Sequence, residues 1–106
     1  MEHKRLPKGA KRVSEWVETC SEAYPKGNGE ITVCYYEADI QYPEGFTDTA
    51  ITVMVYENGK CAYKQAFYGE TAHTDARRNG NDQTTKLIYA STGVPRSTLL
   101  RALRSE

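Results

Sequence analysis

Asn58-Gly59 sits between two runs rich in β-branched and aromatic side chains, Ala50 to Glu57 and Lys60 to Tyr68. A type I′ turn needs positive φ at both central positions, which glycine adopts freely and asparagine tolerates, so the dipeptide predicts a two-residue β-hairpin. Such a hairpin fixes its own register. Counting outward from the turn, Glu57 pairs with Lys60, Tyr56 with Cys61, Met54 with Tyr63, Thr52 with Gln65 and Ala50 with Phe67. The opposite face carries Ile51, Val53 and Val55 against Ala62, Lys64 and Ala66. Both faces are half apolar, so pattern alone does not select the one that meets the core.

Upstream, Val13, Trp16, Val17, Cys20, Ala23 and Tyr24 recur at the spacing of one helical stripe, which predicts an N-terminal amphipathic helix with Trp16 anchoring the core. Pro25 and the glycines of Lys26-Gly27-Asn28-Gly29 end it. Glu15, Glu18 and Glu22 then share its outer face, where like charges repel unless a basic partner meets them. Glu30 to Tyr42 reads as a strand. Its alternation slips, with Ile31, Val33 and Tyr35 on one side and Tyr36, Ala38, Ile40 and Tyr42 on the other, and a bulge near Tyr35-Tyr36 would reconcile them. Gly69 to Asp82 reads as an exposed loop. Thr84 to Thr92 is expected as a fourth strand, the alternative being a short helix capped by Asp82. After Gly93-Val94-Pro95, Leu99, Leu100 and Leu103 fall at helical spacing in a basic C-terminal helix. The expected fold class is α+β: an N-terminal helix, an antiparallel sheet of three to four strands and the basic terminal helix.

The length, 106 residues, suits a single domain over 1–106, with 1–9 expected as a flexible arm. The longest nearly apolar stretch, Ala50 to Tyr56, is far short of the roughly 20 residues of a spanning helix. The basic N-terminus has no apolar run behind it to make a secretory signal. Cys20, Cys34 and Cys61 cannot all pair within one chain and match no zinc spacing, which suggests reduced thiols in a cytoplasmic setting. Fourteen Lys+Arg balance fourteen Asp+Glu, but unevenly along the chain. Residues 1–12 and 58–106 are basic. Residues 13–57 hold nine acidic side chains against Lys26 alone.

Chemistry-bearing sets are sparse. A nucleophile needs a base in hydrogen-bond reach; Cys61, His73 and Asp75 are the only grouping to consider, and the hairpin places Cys61 among strand neighbours while His73 falls in the predicted loop. His3 lies at the terminus. No glycine-rich phosphate loop or metal-ligand spacing occurs, so no enzyme activity, metal or cofactor is expected. Eight tyrosines are too many hydroxyls for a small core, so several are expected at the surface, where tyrosine favours interfaces.

Gly93-Val94-Pro95-Arg96-Ser97-Thr98-Leu99-Leu100-Arg101-Ala102-Leu103-Arg104 resembles the turn and recognition helix of helix-turn-helix DNA-binding proteins of the resolvase and IclR types. The resemblance implies that Arg96, Ser97, Thr98, Arg101 and Arg104 face nucleic acid while Val94, Leu99 and Ala102 pack inward. The order helix, three strands, helix is also similar to double-stranded RNA-binding domains, though Glu70 to Arg78 stands where that family opens its last helix with Lys-Lys-x-Ala.

Two functions follow as expectations. The first is a non-catalytic interaction module, monomer or homodimer, gripping another protein with a basic surface through Glu15, Glu18, Glu22, Glu37, Asp39, Tyr36 and Tyr42. Small inhibitors from phages and mobile elements, anti-CRISPR proteins among them, are typical of that class, and the glutamate stripe could mimic the phosphates of DNA. The second is DNA binding through the terminal helix.

Overall fold

The computed structural model describes residues 5–92. One antiparallel sheet is crossed by a helix, in the order β1 (Lys11–Arg12), β2 (Val17–Lys26), β3 (Gly29–Gln41), β4 (Thr47–Glu57), β5 (Lys60–Tyr68) and α1 (Ala72–Thr92). β3 is central. One of its edges takes β4; the other takes β2 along most of its length and β1 at its end, and β5 lies outside β4. Five strands replace the expected three to four. Of the expected N-terminal arm, residues 5–9 lead into a turn in which the Ala10 N–H donates to the Pro7 carbonyl at 3.0 Å, with Gly9 against the Pro43 ring.

The expected N-terminal helix does not form. Residues 17–26 are β2, an edge strand. The same sequence that satisfies a helical stripe also places Cys20, Glu22, Tyr24 and Lys26 at every second position, and these are the half-buried side chains of the strand. Backbone hydrogen bonding decides between the two. Without β2, most of one edge of the 13-residue β3 would lack ladder partners, and the isolated helix would be too short to persist unsupported. Gly27, at φ 58°, opens a two-residue turn of type II′ geometry, and Pro25 is tolerated because β2 is an edge.

The slipped alternation of β3 has a different origin from the one expected. β3 pairs with β4 without interruption; the bulge is in β2 opposite it, where Thr19 is unpaired between Glu18↔Tyr36 and Cys20↔Tyr35. β3 instead buries both faces. Ile31, Val33 and Tyr35 belong to the core beneath α1, while Ala38 and Ile40 are buried on the other face with Ala50 of β4.

At the β4–β5 hairpin the type I′ turn forms as predicted, with Asn58 at φ 53° and Gly59 at φ 83°. The two pairs nearest it, Glu57↔Lys60 and Tyr56↔Cys61, also hold. Beyond them Ala62 bulges, so Val55 pairs with Tyr63, Val53 with Gln65 and Ile51 with Phe67, one residue off the counted register. The bulge aligns Phe67 with Ile51, Val53 and Val55 on the helix-covered face, and burial of a side chain of this size contributes about 1.5–3 kcal/mol.

α1 replaces both the predicted loop at 69–82 and the predicted strand at 84–92; the alternative of a short helix after Asp82 is also too small. Thr71 precedes it, its hydroxyl donating to Asp75 at 2.7 Å. The side turned to the sheet reads Ala72, Ala76, Gly80, Thr84, Ile88, every fourth residue and nearly all small. Such a stripe lets the helix approach closely, chiefly over β4 with β5 and β3 at its flanks. Gly80 shows how closely: a Cβ there would overlap the Tyr35 hydroxyl. Asn79-Gly80-Asn81-Asp82 reads as a loop by propensity, and tertiary contact overrides it. The expected basic helix at 96–104 lies outside the described residues.

The β2–β3 and β4–β5 turns are also joined. The Asn58 N–H donates to the Glu30 carbonyl and the Glu30 N–H to the Asn58 side-chain oxygen, both at 3.0 Å, and Lys26 pairs with Glu57.

Tyr35 is 3% exposed and its hydroxyl has no hydrogen-bond partner among the described residues; burial pushes its pKa up to about 12 against the opposing charge of Arg77. Removing that hydroxyl should cost little, since no bond is lost with it. Gly80→Ala should destabilise by about 1–3 kcal/mol through overpacking. In a Tyr35→Phe background most of that loss should disappear. Urea melts of the four proteins measure this, and an equal cost of Gly80→Ala in both backgrounds would show that the close approach does not govern the helix.

Candidate partner-binding surface

The seven residues singled out for a partner do not converge on one patch. Glu15 lies in the crossing from β1 to β2, where with Glu37, Asp39, Ser14, Val17 and Thr19 it lines a shallow notch at the edge of β3. The notch is held by the backbone: the Val13 N–H donates to the Asp39 carbonyl at 2.9 Å, and the Asp39 N–H to the Ser14 hydroxyl at 2.8 Å. Glu37 reaches His73 at 2.9 Å. Glu18 is on the face away from α1, opposite Tyr36. Tyr42 stacks on Phe46 with centroids 4.4 Å apart and donates to Asp48 at 3.2 Å.

Glu22 is already engaged. It accepts from Tyr24 at 2.6 Å and pairs with Arg77 at 2.5 Å, and the Arg77 guanidinium lies 4.4 Å from the Tyr35 ring centroid. The Tyr24 hydrogen bond, followed by the Arg77 charge against a burial penalty, holds the Glu22 carboxyl below its ordinary 4.5. The glutamate stripe is therefore not a structural feature: Glu15 is in a crossing segment, and the Thr19 bulge sends Glu18 and Glu22 to opposite faces.

The face away from α1 carries a feature that the sequence reading misplaced. Trp16, expected in the core, is 36% exposed. It borders an apolar groove of about 180 Å³ with Tyr36, Thr52, Met54 and Lys64, and the Arg12 guanidinium lies 6.0 Å from its ring. Tyr56 donates to the Met54 sulfur at 3.5 Å. Val13 and Val17, on either side of the crossing, are also exposed. A signal for this face was present in β4, where the odd positions are Ile51, Val53 and Val55 and the even ones are Thr52, Met54 and Tyr56: the branched aliphatics mark the side beneath α1, the softer and more polar set the side away from it.

A larger recess of about 420 Å³ lies between Arg5, Pro7, Tyr42, Asp48, Tyr68 and the turn at Gly69, Glu70 and Thr71 that precedes α1, and its mixed charges select no one ligand. Cys61, His73 and Asp75 do not meet. Cys61 is exposed beside the β4–β5 turn, whereas His73 and Asp75 follow the other end of β5, nine strand residues away, about 25–30 Å of extended chain. Asp75 is buried against Thr71 and Arg78. Among the described residues no group of three or more His, Cys, Asp or Glu could hold a metal ion, and no helix is long and apolar enough to cross a membrane. Arg96, Ser97, Thr98, Arg101 and Arg104 lie outside the described residues. Comparison with protein families, curated proteins and solved structures finds no match to this chain.

Because the Glu22 pKa is lowered on folding, its ionised form stabilises the fold above pH 4.5, and the contribution is lost as pH falls through the lowered value. Glu22→Gln should melt below the parent at neutral pH, and the gap should close on acidification. A gap constant with pH would remove the Tyr24 and Arg77 contacts from the account of stability.

Proposed function

We propose that this chain is a non-catalytic interaction module that takes a partner protein with a basic surface. Its contact is the face bearing Trp16, Tyr36 and Met54, with the Glu18 carboxylate opposite Tyr36 on β2. The observation that carries the reading is the exposed Trp16 indole bordering an apolar groove, with Glu18, which makes no ion pair among the described residues, on the same face. Protein interfaces are organised this way. A large aromatic side chain anchors a desolvated centre, and rim charges steer encounter and select the partner. A protein whose own basic surface binds nucleic acid has the matching charge, which makes an inhibitory role the version of this function we favour.

Helix-turn-helix DNA binding is retained as a second reading on one observation: residues 84–92 are helical, as the first helix of that motif requires and a strand would forbid.

Trp16→Ala should leave the fold intact, because the side chain is outside the core. The expected result is capture by the parent protein of a basic protein from a cell lysate at low salt, its release as salt rises, and its loss with either Trp16→Ala or Glu18→Lys. Undiminished capture by both variants would overturn the proposal. Salt-dependent binding of duplex DNA that is lost in R96E/R101E, with no protein captured, would establish the second reading in its place.

A further inference from the structure

Three asparagines precede glycine, Asn28, Asn58 and Asn79. In such a dipeptide the absence of a following side chain leaves the backbone nitrogen free to approach the asparagine amide carbon, and the fold must hold the two apart to prevent it. At Asn58 it does so. The side-chain oxygen accepts the Glu30 N–H at 3.0 Å and lies against Gly29, directed across to the neighbouring turn and away from Gly59. At Asn79 the residue is within α1, its side-chain oxygen buried and its backbone fixed in the helix. At Asn28 the side chain is unrestrained: it is exposed in the Gly27-Asn28 turn and makes no hydrogen bond among the described residues, and Gly29, paired with Lys26, is the last rung of the β2–β3 ladder at the end of the sheet.

We infer that Asn28 is a site of spontaneous covalent modification, converting to aspartate and isoaspartate while Asn58 and Asn79 are protected by the fold. The Gly29 nitrogen loses its proton to hydroxide and attacks the Asn28 Cγ, forming the new C–N bond. The tetrahedral carbon then expels the side-chain nitrogen, which leaves with a proton as ammonia, and a five-membered succinimide remains. Water adds to either ring carbonyl and opens it, giving aspartate or isoaspartate. One water enters and one ammonia leaves, with no oxidant or reductant. Each event places a carboxylate at the tip of the β2–β3 hairpin, two residues from Lys26, and the isoaspartate lengthens the backbone of a turn whose geometry sets the hairpin.

Ageing the folded protein at mildly alkaline pH and mapping it by fragment-ion mass spectrometry tests this. Trypsin leaves residues 27–60 in one peptide, so Asn28 and Asn58 are distinguished by fragmentation. Conversion at Asn28 should exceed that at Asn58 and at Asn79 by at least about tenfold, local protection being worth that or more in a folded chain. In concentrated urea, where the structural restraints are absent, the three rates should draw together to within about threefold. Conversion at Asn58 or Asn79 as fast as at Asn28 in the folded protein would overturn the inference, as would a rate ratio that urea leaves unchanged.

Discussion

The close approach of α1 to the sheet is the contact on which the rest of the architecture depends. β3 and β4 present Ile31, Val33, Tyr35, Ile51, Val53 and Val55 on one face, too large an apolar surface to leave in water, and Phe67 of β5 joins them. What covers it is a helix whose inward side is Ala72, Ala76, Gly80 and Thr84 before Ile88. Large residues on the sheet and small ones on the helix interlock; the reverse arrangement would hold the two layers apart. Interiors pack at crystal-like density, and here the sheet supplies the volume while the helix supplies the room. Gly80 against Tyr35 is the point of least clearance.

That division of labour explains what could be read from the sequence and what could not. The α+β class, the strand at 30–42 and the Asn58-Gly59 turn were legible because they rest on local chemistry: β-branched runs and a dipeptide suited to positive φ. α1 was not. Its buried side has almost no apolar contrast, and Asn79-Gly80-Asn81-Asp82 has the composition of a loop. The misread helix at 13–24 is the converse error, since an apolar spacing compatible with two periods was assigned to the wrong one, and only the unpaired edge of β3 decides between them. The shifted register of β5 follows from Ala62, an alanine with no mark of a bulge.

The candidate surface was legible in part for the same reason. That several acidic and aromatic residues of 13–57 would be at the surface follows from composition, and Glu15, Glu37 and Asp39 do line one notch. The assignment of Glu15, Glu18 and Glu22 to one helical stripe fell with the helix. Trp16 was missed because a large aromatic in an apparent stripe is ordinarily a core residue; its position on the accessible face follows from a tertiary fact, the crossing of residues 13–16 from β1 to β2 along the edge of β3.

The two bulges have a meaning beyond register. An open sheet ends in two strands whose outward N–H and C=O groups are a template for any extended chain. Here one outer strand, β2, is kinked at Thr19 and carries Pro25, and the other, β5, is kinked at Ala62 and carries Lys60 and Lys64. Each outer rim is therefore interrupted and bears residues that discourage a sixth strand. A molecule built this way is closed to growth in the plane of its sheet, and its neighbours in a crowded solution meet it from above or below.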